Sequence, residues 1–503
     1  MLLLGAAATG RGVEADLPAT GDYAALELYT RLAAQGRQLL GPYSRFGFHH
    51  PGPAYFYAAV PLYLLTGQRF AGILLTAGLL NTACVVLILR RLGKDGGTAA
   101  LLAAAIVLAQ FLSWRSPVWL FSAWNPNVVV LPFGLALVSL AAVGAGRAGA
   151  LPVAALAASF AAETHLGCLP AALALSAAAF GLLVPRVRAL AGLPPRPPLA
   201  RRPLVAAALV LAVMWTPPVV EQLSTGGGNL AHIVGFSAYF GEAHPAGDTL
   251  AAVGAATVGW LVGAGEAAAG VGLVLVVAAL AVAHGGARRS GLALPAALSL
   301  VTLAGLAAGL VSAARVTGPL MPYLLRWMAM LAVGTAAALA AGVAPMLRGR
   351  PPLAGRERLA TTLALVALAL IAGRNLALAQ AALSSPPQAP EDSVSAARLA
   401  ASIAPALATS SRRPLVEVSP HTERDLVLGV LLALDKSGAR FAVRPFGPFR
   451  LGGRWTPDGT EDARLVLGPE DERLAATPGV RALGREAGLF AYLVPRDAVT
   501  GPP

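Results

Sequence analysis

The sequence predicts a polytopic all-α integral membrane protein of about ten to eleven spans. Interfacial helices are expected in its first exoplasmic loop, and a small C-terminal α/β domain outside the bilayer. Three observations carry that expectation. Of 503 residues, 56% are hydrophobic and only 13% charged, whereas soluble domains carry roughly a quarter charged residues. Apolar runs of about 17 to 25 residues, the length of a span, recur along most of the chain. After about residue 380 the composition changes, with "SSPPQAPED" reading as a Pro/Ser-rich linker.

In chain order, "MLLLGAAATG" is apolar but too short to span and lacks a basic n-region. It reads as the stub of a first helix truncated by a late start. Ala54–Leu65, preceded by Pro53 and interrupted by Pro61, is short for a span and reads as an interfacial helix with tyrosines at headgroup depth. Helix candidates follow at 70–89, 98–113, 126–144, 150–163, 166–184, 203–220, 267–284, 291–313, 324–345 and 358–373. Leu250–Gly265 reads as re-entrant or interfacial. The expected domains are a membrane domain at 1–379, a linker at 380–395 and a small α/β domain at 396–503. In that last domain "PLVEV", "RFAVRP", "ARLVLG" and "LFAYLV" read as strands, and "HTERDLVLGVLLALDKSG" as a helix ending at a glycine. No internal repeat is visible.

The net charge of +13 does not indicate a nucleic-acid partner, because the basic residues sit between apolar runs rather than on one folded face. They cluster at Arg90–Lys94, Pro185–Pro203, Ala287–Ser290 and Arg348–Arg358, which by the positive-inside rule places those segments in the cytoplasm. The opposite, exoplasmic side then holds Asp22–His50, Trp114–Asn127, Glu163–His165, Glu221–Asp248 and Arg315–Arg326. Cys84 and Cys168 fall within spans and form no ligand cluster. Abundant Ala, Gly and Arg with few Lys suit a GC-rich bacterial genome, so the expected location is the plasma membrane with the C-terminal domain extracytoplasmic.

The exoplasmic polar residues are the candidates for chemistry. In "GDYAALELYTR", Asp22 is placed either to cap a helix or to act as a general base at a cavity mouth. Glu27 and Arg31 have the spacing of an i,i+4 pair on a solvated helix, and Glu27 is also a candidate substrate contact. In "FGFHHPGPAYFY", Pro51 biases His50 away from helical geometry, and Arg45 with His49 and His50 makes a phosphate-binding environment. Trp124, Asn125 and Asn127 combine rings and amides as a sugar platform would, or as an aromatic belt does. Glu163 and His165 end a hydrophobic helix, where ionisable residues rarely lack a partner. Glu221, Asn229 and His232 surround a glycine run that reads as a mobile loop. Arg315 and Arg326 run against the positive-inside bias, as phosphate ligands or as snorkelling side chains.

A first-loop aspartate followed by "HPGP", an amphipathic helix and a span resembles the class C (GT-C) glycosyltransferases. The resemblance is closest to the family 39-like members, the protein mannosyltransferases and lipid A aminoarabinose transferases. Asp22 matches the family aspartate, and His50 and Pro51 match the start of its "HPPL" turn. Gly52 replaces the second proline and Pro53 the leucine. "ILRRLGKDGG" then matches the first cytoplasmic loop in order. The resemblance implies an inverting-type transfer of a sugar from a polyprenyl-phosphate donor to a glycan, lipid or protein acceptor at the outer face of the bilayer. It also implies Asp22 as base and basic residues on the leaving phosphate. No cofactor follows: members with and without a divalent ion exist, and a metal stays open here. The competing expectation is a transporter or flippase of a lipid-linked substrate. That would need polar groups at mid-membrane depth, whereas the centres of these runs are nearly free of charge.

Overall fold

The computed structural model describes residues 17–196, 198–224, 228–238, 243–263, 266–348, 356–384, 391–408 and 413–496. The stub at residues 1–10 and most of the glycine run at 226–228 lie outside them. The chain divides into two compact units that interleave in sequence. One contains residues 50–54 and 76–384; the other contains 17–49, 55–75 and 391–496.

The first unit is a helical bundle. Among the described residues, seven helices are long and apolar enough to cross a membrane, and the protein is a multi-pass membrane protein. Phe70–Arg115 runs for 46 residues, about 69 Å at 1.5 Å per residue, more than twice a hydrocarbon core of about 30 Å. Its backbone breaks at Gly97 (φ 79°), so it makes two crossings. The expected loop at Arg90–Lys94 is therefore helical. Arg, Leu and Lys are good helix formers, and only the Gly96–Gly97 pair stops the helix.

Asn125–Gly144 is wholly buried, whereas the most apolar stretches of Arg201–Ser224 and Arg358–Ala382 are largely exposed. Exposed aliphatic side chains such as Val213 (73%) and Leu370 (71%) are tolerable only against lipid. Asn375 pins that last helix, accepting from Ser113 Oγ at 2.8 Å and donating to the Ala109 carbonyl at 2.9 Å. Glu266–Arg289 and Ala329–Arg348 cross at glycine: a Cβ on Gly286 would lie 2.4 Å from the Gly342 carbonyl oxygen. Such close backbone approach is how helices associate where no hydrophobic drive exists between them. Cys84 and Cys168 are buried free thiols.

The 250–265 segment forms a short helix, Ala246–Gly254, continued by a π-helical turn at Ala255–Gly259. The expected linker at 380–395 is narrower than its composition implied, since Arg356–Ser384 and Glu391–Ala408 are both helical.

The second unit is built on a five-stranded sheet among the described residues, with strands β1 (Leu415–Val418), β2 (Ala442–Val443), β3 (Ala463–Gly468), β4 (Arg481–Glu486) and β5 (Leu489–Pro495). Their order is β2-β1-β3-β5-β4. β1 runs parallel to both neighbours, while β5 is antiparallel to β3 and β4. β4 escapes a hydrophobicity reading because it is an edge strand, "RALGRE", charged along its length as edges commonly are.

The N-terminal helices belong to this unit. Gly21–Ala33 packs against Arg424–Lys436, and ten of its thirteen residues are buried, so the expected solvated helix is an internal one. Glu27, fully buried, does not pair with Arg31. Lys436 Nζ lies 2.6 Å from its Oε1, and the Tyr63 hydroxyl donates to it at 3.0 Å. Arg31 instead meets Asp435 at 2.5 Å, and Arg454 joins the same carboxylate. Ala54–Leu65 forms as expected, but Tyr55 and Tyr63 are buried in protein rather than set at headgroup depth. Tyr57 donates to the Gln38 carbonyl.

His49 is buried in this unit, edge-on to Tyr29, with Nδ1 3.0 Å from the Gly41 carbonyl. Burial pushes its imidazole down to about 4 from an ordinary 6.5. A depressed pKa leaves stability intact above pH 6.5 and removes it as pH falls toward 4, because only the unfolded chain takes up the proton. Thermal melts between pH 7 and 4 are expected to show that loss, and a His49→Gln variant to show a shallower slope.

Candidate functional site

Two short helices set the depth of the candidate site. Leu151–Thr164 and Leu169–Gly181 have 14 and 13 residues, about 20 Å each and short of the hydrocarbon thickness. In the turn between them Glu163, Thr164 and His165 are buried and Leu166 is half-buried. The His50–Gly52 turn packs on it. His50 Nδ1 accepts the Leu166 N–H at 3.0 Å, and the His50 and His165 rings lie 5.1 Å apart. That bond leaves Nε2 as the protonated nitrogen of a neutral His50.

Gly52 explains the departure from a second proline. Its N–H donates to the Glu163 carbonyl at 3.2 Å, which proline cannot do. A Cβ at this position would fall 2.4 Å from Glu163 Oε2, so the carboxylate fills the space that a side chain would need. Gly52→Ala is expected to cost about 1–3 kcal/mol of stability. Adding Glu163→Ala, which makes room, should return part of it, read as melting temperatures of single and double variants.

Glu163 is fully buried, and its carboxylate meets the backbone N–H of Ala54 but no side-chain hydrogen-bond partner among the described residues. His165 Nδ1 and the Thr164 hydroxyl have no hydrogen-bond partner among the described residues. Two unsatisfied polar groups beside a buried carboxylate are costly in such a turn and mark it as a place where a polar ligand would be stabilised.

The neighbouring turns complete the cluster. Asn125 Nδ2 donates to the Thr164 carbonyl at 3.4 Å. Asn127 accepts from Arg326 and donates to Ser122 Oγ at 2.7 Å. The Arg326 guanidinium lies 5.8 Å from the Trp124 ring, which packs 5.1 Å from Tyr323. These described partners of Arg326 are neutral. The other charge acting on it is Arg115, whose Nε is buried without a hydrogen-bond partner among the described residues. Two guanidinium groups with no carboxylate between them suit a phosphate. Arg115 is a residue the sequence reading missed, although its place at the outer end of a span was the signal that singled out Arg326.

An apolar groove of about 470 Å³ runs beside this turn, lined by Ala158, Ala162, Leu173, Phe180, Leu211 and Trp215. It reaches Ala162, the residue before Glu163.

The bundle thus brings together His50, Trp124, Asn125, Glu163, His165 and Arg326. Glu221 and Asn229 lie elsewhere on it: Glu221 accepts the Asn229 N–H at 3.0 Å and starts the Asn229–Ala238 helix. Arg315 is exposed after the Ala293–Ala314 helix. Asp22, Glu27, Arg45 and His49 belong to the second unit. There Asp22, half-buried in the first turn of its helix, accepts from the Tyr43 hydroxyl. Arg45 is exposed and lies over Phe46 at 4.8 Å. Among the described residues, no three His, Cys, Asp or Glu side chains form a metal-holding group.

The fold is one already seen in crystal structures of a membrane protein. Two crystal structures of ArnT from Cupriavidus metallidurans share it. The one bound to undecaprenyl phosphate superposes with a TM-score of 0.60 at 15% identity, covering 100% of this chain and 98% of that one. The apo structure gives 0.56 at 13% identity over 95% and 94%. No family model and no curated protein matches the chain by sequence.

Proposed function

We propose that this protein is a membrane glycosyltransferase that moves a sugar from a polyprenyl-phosphate donor to an envelope acceptor on the outer face of the plasma membrane. The observation that carries the reading is the cluster of Arg326, Arg115, His50, Glu163 and His165 beside an apolar groove. A lipid-phosphate donor needs those two environments side by side. The shared fold with a structure that holds undecaprenyl phosphate supports the same donor class.

In this reading the prenyl chain lies in the groove and the phosphate meets Arg326 and Arg115. Their charge stabilises the phosphate as the bond to the anomeric carbon breaks. Asp22 takes the proton from the attacking acceptor hydroxyl, as a general base. Asn125, Trp124 and Glu163 contact the sugar or the acceptor. The protein is then an extracytoplasmic-face enzyme with its C-terminal domain on that side.

The test is complementation of a gene deletion, with envelope lipids and glycans profiled by mass spectrometry. The wild-type gene is expected to restore a species lost on deletion, and Asp22→Asn to fail while accumulating to the same level in the membrane. Restoration by Asp22→Asn would remove Asp22 as the base.

A further inference from the structure

A second polar cavity lies at the other end of the bundle. It measures about 560 Å³ and is lined by Arg147, Arg188 and Arg196, by Asp95, and by Gly96–Thr98 and Gly291–Pro295. Arg147 precedes the Leu151–Thr164 helix and Glu163 all but ends it, so about 21 Å of helix separates this cavity from the cluster described above.

The charge here is fixed in place. Arg188 is 4% exposed, and its guanidinium donates to the carbonyls of Pro194 (2.5 Å), Gly144 (2.8 Å), Leu182 (3.2 Å) and Ala145 (3.2 Å). Gly144, Ala145 and Leu182 are at the ends of two helices, whose final carbonyls a cation satisfies, and none of the four carbonyls carries a formal charge to cancel its own. Arg196 donates to the Leu183 carbonyl at 3.0 Å, near enough that its charge acts on Arg188. Asp95 is shared between Arg91 at 3.2 Å and Arg147 at 3.5 Å. Among the described residues the lining thus holds three arginines and one aspartate, which Arg147 shares with Arg91 outside the cavity. Thr98, just past the break at Gly97, and Ala293 begin helices of many turns at the cavity wall, and their N-terminal amides add partial positive charge.

The geometry points to a binding site for a phosphate group, carried by an anionic lipid headgroup or by a soluble phosphate compound. Like-charged groups held this close are unfavourable without an anion, and the cavity is large enough for a glycerophosphate headgroup. The site stands independently of the transferase reading and uses none of its residues.

The experiment uses the full-length protein, wild type and Arg147→Gln/Arg196→Gln, with Arg188 left in place for its carbonyls. Native mass spectrometry measures retention of added phosphatidylglycerol against phosphatidylcholine, and melting curves measure stabilisation by inorganic phosphate against chloride at equal ionic strength. Arg201→Gln, an exposed arginine outside the lining, is the control. Wild-type protein is expected to retain phosphatidylglycerol selectively, with retention falling about tenfold or more in the double variant and unchanged in the control. Stabilisation by inorganic phosphate that the double variant loses, without lipid selectivity, would assign the site to a soluble ligand. Absence of both responses in the wild type, or equal responses in the double variant, overturns the proposal. Arg147→Gln alone, with a side chain 63% exposed, gives the same reading should the double variant fail to fold.

Discussion

Replacing Arg326 by glutamine is expected to lower sugar transfer by about 100-fold or more while the protein remains folded. The two halves of that expectation have separate grounds. Arg326 is bonded to the Asn127 amide and stacked near Trp124, both neutral, so its removal strands no buried carboxylate. A glutamine amide can still donate to Asn127. The catalytic loss follows from the role proposed for it. A preorganised donor at a centre of developing charge is worth about 10²–10³ in rate, and Arg115 would be left to hold the phosphate alone. Arg326→Lys keeps the charge but not the planar fork, and should fall between wild type and glutamine. Turnover of a polyprenyl-phosphate sugar, with melting temperature as the control for folding, distinguishes the three. Wild-type turnover in Arg326→Gln would place the phosphate elsewhere.

The second large effect is on stability. Lys436→Met is expected to destabilise the sheet-bearing unit by about 3–5 kcal/mol, because it leaves Glu27 buried with its countercharge gone. Arg31 cannot substitute, being engaged with Asp435. Burial already raises the Glu27 carboxyl above its ordinary range despite Lys436, and without the lysine that rise must grow. A carboxyl whose folded pKa exceeds its unfolded one gains stability as pH falls, since the folded state then binds the extra proton. The deficit of Lys436→Met should therefore shrink on acidification from neutral pH toward pH 5. Glu27→Leu/Lys436→Met should recover much of the loss at neutral pH, because an apolar pair of similar volume carries no desolvation cost. Chemical or thermal unfolding of the two variants across that pH range is the measurement.

Much of the architecture was legible because the membrane imposes a coarse code. Uncharged runs of fixed length gave the spans, and Ala54–Leu65 was set off correctly by its flanking and internal prolines. The helix before Gly438 and four strands of the sheet followed from periodicity and from a glycine C-cap. What escaped depended on partners distant in sequence. Nothing local to Gly21–Ala33 announces that it packs with a helix 400 residues later, so Glu27 read as a surface side chain. The same holds for the Phe70–Arg115 helix, where the charge of Arg90–Lys94 suggested a loop that the backbone does not make.

At the candidate site, the polar ends of spans pointed to His50, Glu163, His165, Asn125 and Arg326 one at a time. That they meet depends on two helices ending early, visible in the sequence only as lengths at the margin. The contact of Gly52 with Glu163 could not be read at all, since it joins a turn to a helix 111 residues away. The position that departs from the "HPPL" pattern is nevertheless the one whose backbone touches the buried carboxylate.

The reaction proposed for this protein breaks the bond between a sugar and a polyprenyl phosphate. The direct measurement is to incubate purified, reconstituted protein with undecaprenyl-phosphate-linked sugars and envelope extract, and to follow undecaprenyl phosphate by mass spectrometry. The wild-type protein is expected to release undecaprenyl phosphate from one of them, in step with a sugar-mass gain on an acceptor. A donor that crosses the vesicle membrane intact, or stays intact across the whole panel, would contradict it.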